Sequence, residues 1–181
     1  MAARRPISQG LRPDIVRGRL AGFGQKWTLS VSWVVRHLSV DLRRITMSKP
    51  VITIDGECFS SLDEFFEHFQ VRALNGERWG SKLDSFNDVL RGGFGTPEAG
   101  FTLVWRHHNL SKDRLGYGET QRVLRKRMAT CHSENVASVI NELKIAEASE
   151  GATVFDWLVE IIKDHGPGGL EHEDGVELIL D

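Results

Sequence analysis

Two aspartates four residues apart, Asp84 and Asp88, are the side chains whose spacing most clearly suggests chemistry. At helical spacing both carboxylates project from one face. Like charges placed this way destabilise an exposed helix by about 0.2–0.5 kcal/mol, and only Asp84 is near enough to the N-terminus for relief from the helix dipole. Carboxylates about 6 Å apart resemble consecutive phosphates and suit a site lined with Arg, Lys and His. The pair predicts a phosphate mimic; on these residues alone, an ordinary solvated helix face is the simpler alternative.

The helix that carries the pair is predicted to run over residues 82–91, with Ser81 as its N-cap. One side of this helix is apolar and comprises Leu83, Phe86, Val89 and Leu90. The opposite side is a polar arc of about 100° that holds Asp84, Asn87, Asp88 and Arg91. Gly92-Gly93 ends the helix.

The remaining periodicity predicts a small α/β domain around this helix. Short apolar runs at residues 51–54, 101–105 and 176–180 predict strands. Helical patterns occupy residues 62–69, behind a Ser61–Glu64 capping box, and then 110–115, 119–131, 134–148, behind a Ser133 cap, and 153–163. Strands separated by helices favour parallel pairing, so we predict a three-stranded parallel sheet packed with helices.

Charge is distributed unevenly along the chain and indicates the class of partner. Residues 1–46 hold nine Arg or Lys against two acids, which leaves fourteen bases and twenty-three acids in the rest. An acidic body suits a basic protein partner and argues against direct nucleic-acid binding, which needs clustered Lys and Arg. The longest apolar stretch is too short for a membrane span, and two cysteines, Cys58 and Cys131, fit reduced cytosolic thiols better than a disulfide framework.

Other motifs give no support for an enzyme, a metal or a cofactor. The stretch Gly92-Gly93-Phe94-Gly95 follows a helix and precedes a strand, the reverse of a phosphate-binding loop. The pairs His107-His108 and Cys131-His132 lack metal-ligand spacing, and no nucleophile elbow is present. A basic turn comprising Arg122, Arg125, Lys126 and Arg127 could contact RNA but is more simply a solvated helix face.

The order of these segments resembles the barstar family over most of residues 50–181. The resemblance starts with Ile54-Asp55-Gly56 and a Ser-capped acidic helix, and it ends with a strand that closes in Trp105-Arg106. Its specific part is W-G-x-x-L-D-x-(L/F)-x-D-x-L, found here from Trp79 to Leu90. The resemblance implies a three-stranded parallel fold. It also implies that the helix and the preceding loop block the active site of a secreted, guanyl-preferring ribonuclease, in the cytoplasm of a bacterial cell that makes the enzyme.

The resemblance assigns roles to particular positions of this sequence. Asp88 matches the family's dominant acidic contact, and Asp84 the second acid on the same helix. Gly80 matches a loop glycine at the interface, whereas Trp79 could either anchor that loop or reach the partner. Family members also present an acid from the last helix; Glu160 and Asp164 are both candidates here.

This chain departs from the family pattern at several partner-facing positions. Arg78 replaces an aromatic loop residue, Asn87 replaces a helix tryptophan, and Ser81 and Lys82 replace an acidic-amide pair. The positive charge at Arg78 and Lys82 weakens the case for barnase itself as the target.

Together these patterns predict a cytoplasmic, non-enzymatic inhibitor that binds its ribonuclease one to one. The alternative is a barstar-fold interaction module that has lost inhibition and binds another basic protein or RNA. Residues 47–181 are the predicted domain. Residues 1–46 form a basic extension, either disordered or lying upstream of a natural start at Met47; a transit peptide and a nucleic-acid-binding arm are the alternatives.

Overall fold

A three-stranded parallel sheet forms the centre of the fold, as predicted. The computed structural model describes residues 48–74 and 76–181, so the predicted extension over residues 1–46 and the proposed start at Met47 lie outside the described residues. Strands β1 (Val51–Asp55), β2 (Thr102–Arg106) and β3 (Glu177–Leu180) lie in the order β1-β2-β3. The central strand pairs Trp105 with Ile54 on one side and with Leu180 on the other.

Six helices surround the sheet within the described part of the chain. They are α1 (Leu62–Ala73), α2 (Leu83–Leu90), α3 (His108–Arg114), α4 (Tyr117–Thr130), α5 (Val136–Glu147) and α6 (Val154–Asp164). Short 3-10 turns occupy Gly56–Cys58, Ser133–Asn135 and His172–Asp174. Every predicted helix is present, and the largest difference is that α1 continues four residues beyond its predicted end.

Two predicted N-caps are wrong. Ser81 has a φ of 45°, outside the extended conformation of a cap residue, and the helix instead begins after Lys82, whose side chain makes no capping hydrogen bond. Ser133 opens a separate 3-10 turn, so α5 begins only after Asn135. At α1, Ser61 does accept the hydrogen bond from Glu64 N, but the Glu64 carboxylate accepts from Ser60 rather than from Ser61.

Aromatic side chains fill the core between the sheet and the helix that carries the acidic pair. Phe86 of α2 is fully buried, and its ring centroid lies 5.0 Å from that of Phe69 and 5.5 Å from that of Phe65 on α1. Phe65 in turn lies 5.4 Å from Trp105 on β2. A continuous chain of ring contacts therefore fixes α2 relative to the central strand.

The two cysteines do not form a disulfide. Both are free, and Cys58 is exposed whereas Cys131 is half-buried. Among the helices of residues 48–74 and 76–181, none combines the length and the apolar character needed to cross a bilayer.

Candidate functional site

The structure places Asp84 and Asp88 together on the exposed face of α2. This helix turns Phe86, Val89 and Leu90 into the core, so its polar arc faces outward. The Asp88 side chain is 62% exposed. A shallow hollow of about 260 Å³ beside the pair is completed by Ile161 of α6. The two carboxylates therefore sit on a short helix that is anchored from behind and open in front.

Arg91, one turn beyond Asp88, makes its shorter contacts with Glu171. Its Nε and Nη2 donate to the two carboxylate oxygens of Glu171 over 3.0 and 2.6 Å. Only Nη1 approaches Asp88, at 3.5 Å. The Arg91 hydrogen bonds lower the pKa of Glu171, and the same bonds raise the pKa of Arg91. Asp88 therefore keeps most of its hydrogen-bonding capacity for a partner.

Asn87 lies between the two acids in sequence, but its side chain is engaged inside the domain. The Asn87 Oδ1 atom lies 3.1 Å from Nε2 of His165, whose side chain is fully buried. His165 Nδ1 contacts Asp174 Oδ2 at 2.6 Å. A contact of Asn87 with a partner would compete with this internal one.

The loop before α2 is anchored through Trp79. Its ring centroid lies 5.3 Å from Phe66 and 5.9 Å from Phe69, both on α1. The Trp79 indole N–H is buried, and no described residue accepts a hydrogen bond from it. The packing of Trp79 therefore supports the anchoring role and not the role of partner contact. Arg78 and Gly80, its neighbours in sequence, lie exposed in the loop before the acidic helix.

Gly80 allows the loop to pass close to α2. A Cβ atom at this position would collide with the side chain of Ser85. We expect Gly80→Ala to lower the free energy of unfolding by about 1 kcal/mol, at the low end of the cost of overpacking, because the Ser85 side chain must rotate and its Cβ must give way. Urea denaturation measures the change. Adding Ser85→Ala, which removes the Oγ atom, should restore most of the lost stability; a Gly80→Ala protein as stable as the wild type would contradict the predicted collision.

Phe94 is a candidate contact residue that sequence analysis missed. Its side chain is 63% exposed. It lines a hollow of about 270 Å³ together with Arg78, Trp79, Gly80 and Asp88. An exposed aromatic beside a central charge is the usual composition of an interface anchor. The available signal was the position of this phenylalanine between Gly93 and Gly95, in a connecting segment, because such segments run over the protein surface.

Comparison with known proteins identifies the family. A family model described as Barstar (barnase inhibitor) matches residues 49–142, just over half of the chain. This chain belongs to the barstar family. The match includes β1, the Trp79 loop, α2 and β2, and it confirms the resemblance read from the sequence. The sequence matches no curated protein. The barstar family is one of ribonuclease inhibitors rather than enzymes.

Glu160 and Asp164, the two candidate acids on the last helix, differ in exposure and in surroundings. Trp157 of α6 lines a groove with Asp84, and Ile161 lines the hollow beside the acidic pair. Glu160, between them in sequence, is exposed. Asp164 is half-buried and lines a separate hollow with residues 166–169 and the start of β3. Of the two, Glu160 is the more exposed to solvent.

The basic turn of α4 is compensated by acids of the same domain. Arg122 donates to Glu119 and Asp63, and Lys126 also donates to Asp63. The hydrogen bonds to Glu119 raise the pKa of Arg122. Arg125 pairs with Glu147, and Arg127 lies 3.6 Å from Glu142. Since these charges already bind carboxylates, the turn is poorly suited to phosphate backbones.

Two groups of acids and histidine come close together in the described residues, but each is held by its own hydrogen bonds. At the carboxyl ends of β1 and β2, His107 Nδ1 lies 2.8 Å from Asp55, whereas Glu57 lies 3.9 Å from the other ring nitrogen. One ligand atom from each of these three side chains lies within 4.8 Å of the other two, but the contact of His107 with Asp55 already has the length of a hydrogen bond. The hydrogen bond from the Glu57 backbone N–H makes the largest contribution to lowering the pKa of Asp55, and the hydrogen bond with His107 lowers it further. The second group contains His165, whose 2.6 Å contact with Asp174 has the length of a hydrogen bond.

Proposed function

We propose that this chain is a cytoplasmic, non-enzymatic inhibitor that binds a secreted, guanyl-preferring ribonuclease one to one. Residues 47–181 form the inhibitory domain in this proposal. The observation that carries it is the presentation of Asp84 and Asp88: both are exposed on a helix whose opposite face is locked into the aromatic core. The family description, barnase inhibitor, supports the same class of partner.

The proposed mechanism is occupation of the phosphate sites of the nuclease. A ribonuclease active site collects Arg, Lys and His side chains to hold the RNA backbone, so it attracts a pair of fixed carboxylates. Because α2 is held by Phe86, little conformational entropy is lost when the acids dock. RNA and the inhibitor then compete for the same positive groups, and no bond in the inhibitor needs to react.

The surroundings of the pair define the kind of nuclease that fits. Arg78 and Lys82 are exposed beside the acids and would repel a uniformly basic rim. We therefore infer a barnase-type nuclease other than barnase, with acidic or apolar groups at the edge of its active site. Phe94 and Glu160 supply one aromatic and one further acidic contact around the central pair.

The test is titration of barnase-type ribonucleases with the full 181-residue chain in an RNA-cleavage assay. We expect cleavage to stop at one inhibitor per nuclease, and the apparent inhibition constant to rise as the RNA concentration rises, because the two compete for one site. A chain that binds the nuclease without slowing cleavage, or inhibition that is independent of RNA concentration, would contradict the phosphate-mimic mechanism.

The second candidate is a barstar-fold module that binds another basic protein through the same face. The observation in its favour is that Arg78 and Lys82 place positive charge beside the acidic pair, which weakens the fit to the active site of a barnase-type nuclease. Failure to inhibit any nuclease of the panel would favour it. RNA binding that weakens steeply with salt would instead indicate that the basic turn of α4 is an RNA-binding site. The ion pairs that this turn makes within the domain argue against that result.

A further inference from the structure

A groove of about 370 Å³ lies beside the acidic helix and is lined by side chains of α1, α2, α4 and α6. Lys82, Leu83 and Asp84 line it from the start of α2. The side chains of α4 that line it include the basic turn and Thr130, and Trp157 lines it from α6. Charged and apolar groups of four helices therefore surround one opening on the protein surface.

The groove leaves apolar side chains partly open to solvent. Leu83, Val123 and Trp157 line the groove, and each is half-buried. All three also pack against the hydrophobic core, which fixes their positions. Removal of apolar surface from water is the main favourable contribution to most protein associations. The groove therefore suits an apolar side chain of a partner protein.

The groove adjoins the face of α2 that carries the acidic pair. Leu83 and Asp84 line both this groove and the smaller hollow beside Asp88. A typical interface covers about 800 Å² on each partner. A nuclease that contacts both acids of α2 therefore also reaches the groove.

Lys82 places a positive charge beside the groove without a counter-charge from the domain. Its side chain is exposed, and none of the ion pairs within residues 48–74 and 76–181 includes it. The three cations of α4 that line the groove each have a carboxylate partner. Lys82 also stands at the N-terminus of α2, where a positive charge opposes the helix dipole. The fold gains nothing from this charge, which is complementary to a carboxylate of a partner.

We propose that this groove is a second contact site for the nuclease. An apolar side chain of the nuclease enters the groove against Leu83 and Trp157, and a neighbouring carboxylate of the nuclease pairs with Lys82. This inference rests on the proposed function, and it locates the acidic and apolar groups that the nuclease presents at the edge of its active site. A nuclease with a uniformly basic rim meets Lys82 as a like charge, so the same residue that attracts one target rejects another.

The first arm of the test measures the sign of the Lys82 contribution. Inhibition constants of the full-length wild type and of Lys82→Ala are compared against the nuclease that the wild type inhibits. We expect Lys82→Ala to inhibit about threefold to fivefold more weakly, at the upper end for an exposed ion pair. Lys144→Ala removes the same charge from an exposed position of α5 and should leave the constant nearly unchanged. Unchanged or stronger inhibition by Lys82→Ala would overturn the proposal.

The second arm blocks the groove with a bulky side chain. Thr130 is exposed and lines the groove at the end of α4, whereas its exposed neighbour Ala129 is not among the groove-lining residues. We expect Thr130→Trp to weaken inhibition by about tenfold or more, as loss of a buried anchor does. Ala129→Trp is the matched control and should inhibit like the wild type. Equal inhibition by these two variants would contradict occupation of the groove.

The third arm needs no nuclease and uses N-acetylphenylalanine, which combines an apolar ring with a carboxylate. The full-length chain carries ¹³C in its Leu and Val methyl groups. We expect saturable shifts at Leu83 and Val123, with a dissociation constant on the order of 1 mM, and none at Val71, which is 66% exposed on α1. The shifts should weaken in Lys82→Ala. Their absence at about tenfold higher concentration would overturn the proposal.

The arms distinguish failure of this inference from failure of the proposed function. If the wild type inhibits no nuclease but the probe shifts Leu83 and Val123, the proposed function fails, whereas the groove stands as a site for an apolar carboxylate. If the wild type inhibits and both Lys82→Ala and Thr130→Trp inhibit equally well, the function stands and the groove has no part in it. Circular dichroism of each variant checks its fold, and if Thr130→Trp does not fold, Lys82→Ala and the probe decide.

Discussion

Replacing Asp88 with alanine should weaken inhibition of the target ribonuclease by about 30-fold or more, equivalent to about 2 kcal/mol. The carboxylate is exposed in the free protein. In the proposed complex it is desolvated among positive groups, and truncating such a charge leaves those groups without a partner. Asp84→Ala should cost less, because the family resemblance assigns Asp84 the secondary acidic contact in the proposed complex. Inhibition constants measured at fixed ionic strength give both values.

Two comparisons separate a direct contact of Asp88 from indirect effects. Asp88→Asn retains the size of the side chain but not its charge, so a phosphate mimic should lose most of its affinity with this change as well. Glu134→Ala removes the same charge from the turn before α5, where the side chain is 87% exposed. This control should leave the inhibition constant nearly unchanged. If Asp88→Asn inhibits like the wild type, the charge of Asp88 is not what binds.

The elements of the fold could be predicted because their signals are local. The stripe of Leu83, Phe86, Val89 and Leu90 identified α2 to within one residue at each end, and the short apolar runs identified all three strands. The Ser81 cap failed for a tertiary reason. Trp79 packs against α1, and the chain between this anchor and Leu83 bends through a left-handed conformation at Ser81, which capping patterns do not encode.

The candidate site, too, could be predicted only where its signals are local in sequence. Asp84 and Asp88 could be recognised from their spacing within one helix, and their exposed placement followed from the buried stripe behind them. The contacts that tune the site could not, because His165 is 78 residues from Asn87 and Glu171 is 80 residues from Arg91. The local i, i+3 spacing pairs Arg91 with Asp88, and no local pattern indicates that Glu171 is also a partner. Only the fold shows that Arg91 is held by Glu171 rather than by Asp88.

Phe86→Ala should lower the free energy of unfolding by about 3–5 kcal/mol, a large part of the roughly 5–15 kcal/mol typical of a domain. The ring is fully buried, and it contacts Phe65 and Phe69 on α1 as well as Trp79 in the loop. Its removal therefore leaves a cavity where three elements meet. Urea denaturation followed by tryptophan fluorescence should show a lower midpoint with little change of slope.

Val71→Ala is the matched control for this prediction, since it also removes apolar atoms but from a side chain of α1 that is 66% exposed. It should change the free energy of unfolding by less than about 0.5 kcal/mol. A loss below about 1 kcal/mol in Phe86→Ala, less than core truncations of this kind cost, would mean that the aromatic contacts do not hold α2. The acidic pair would then lack the rigid support on which a phosphate mimic depends, because carboxylates on a loosely held helix must be ordered when they dock.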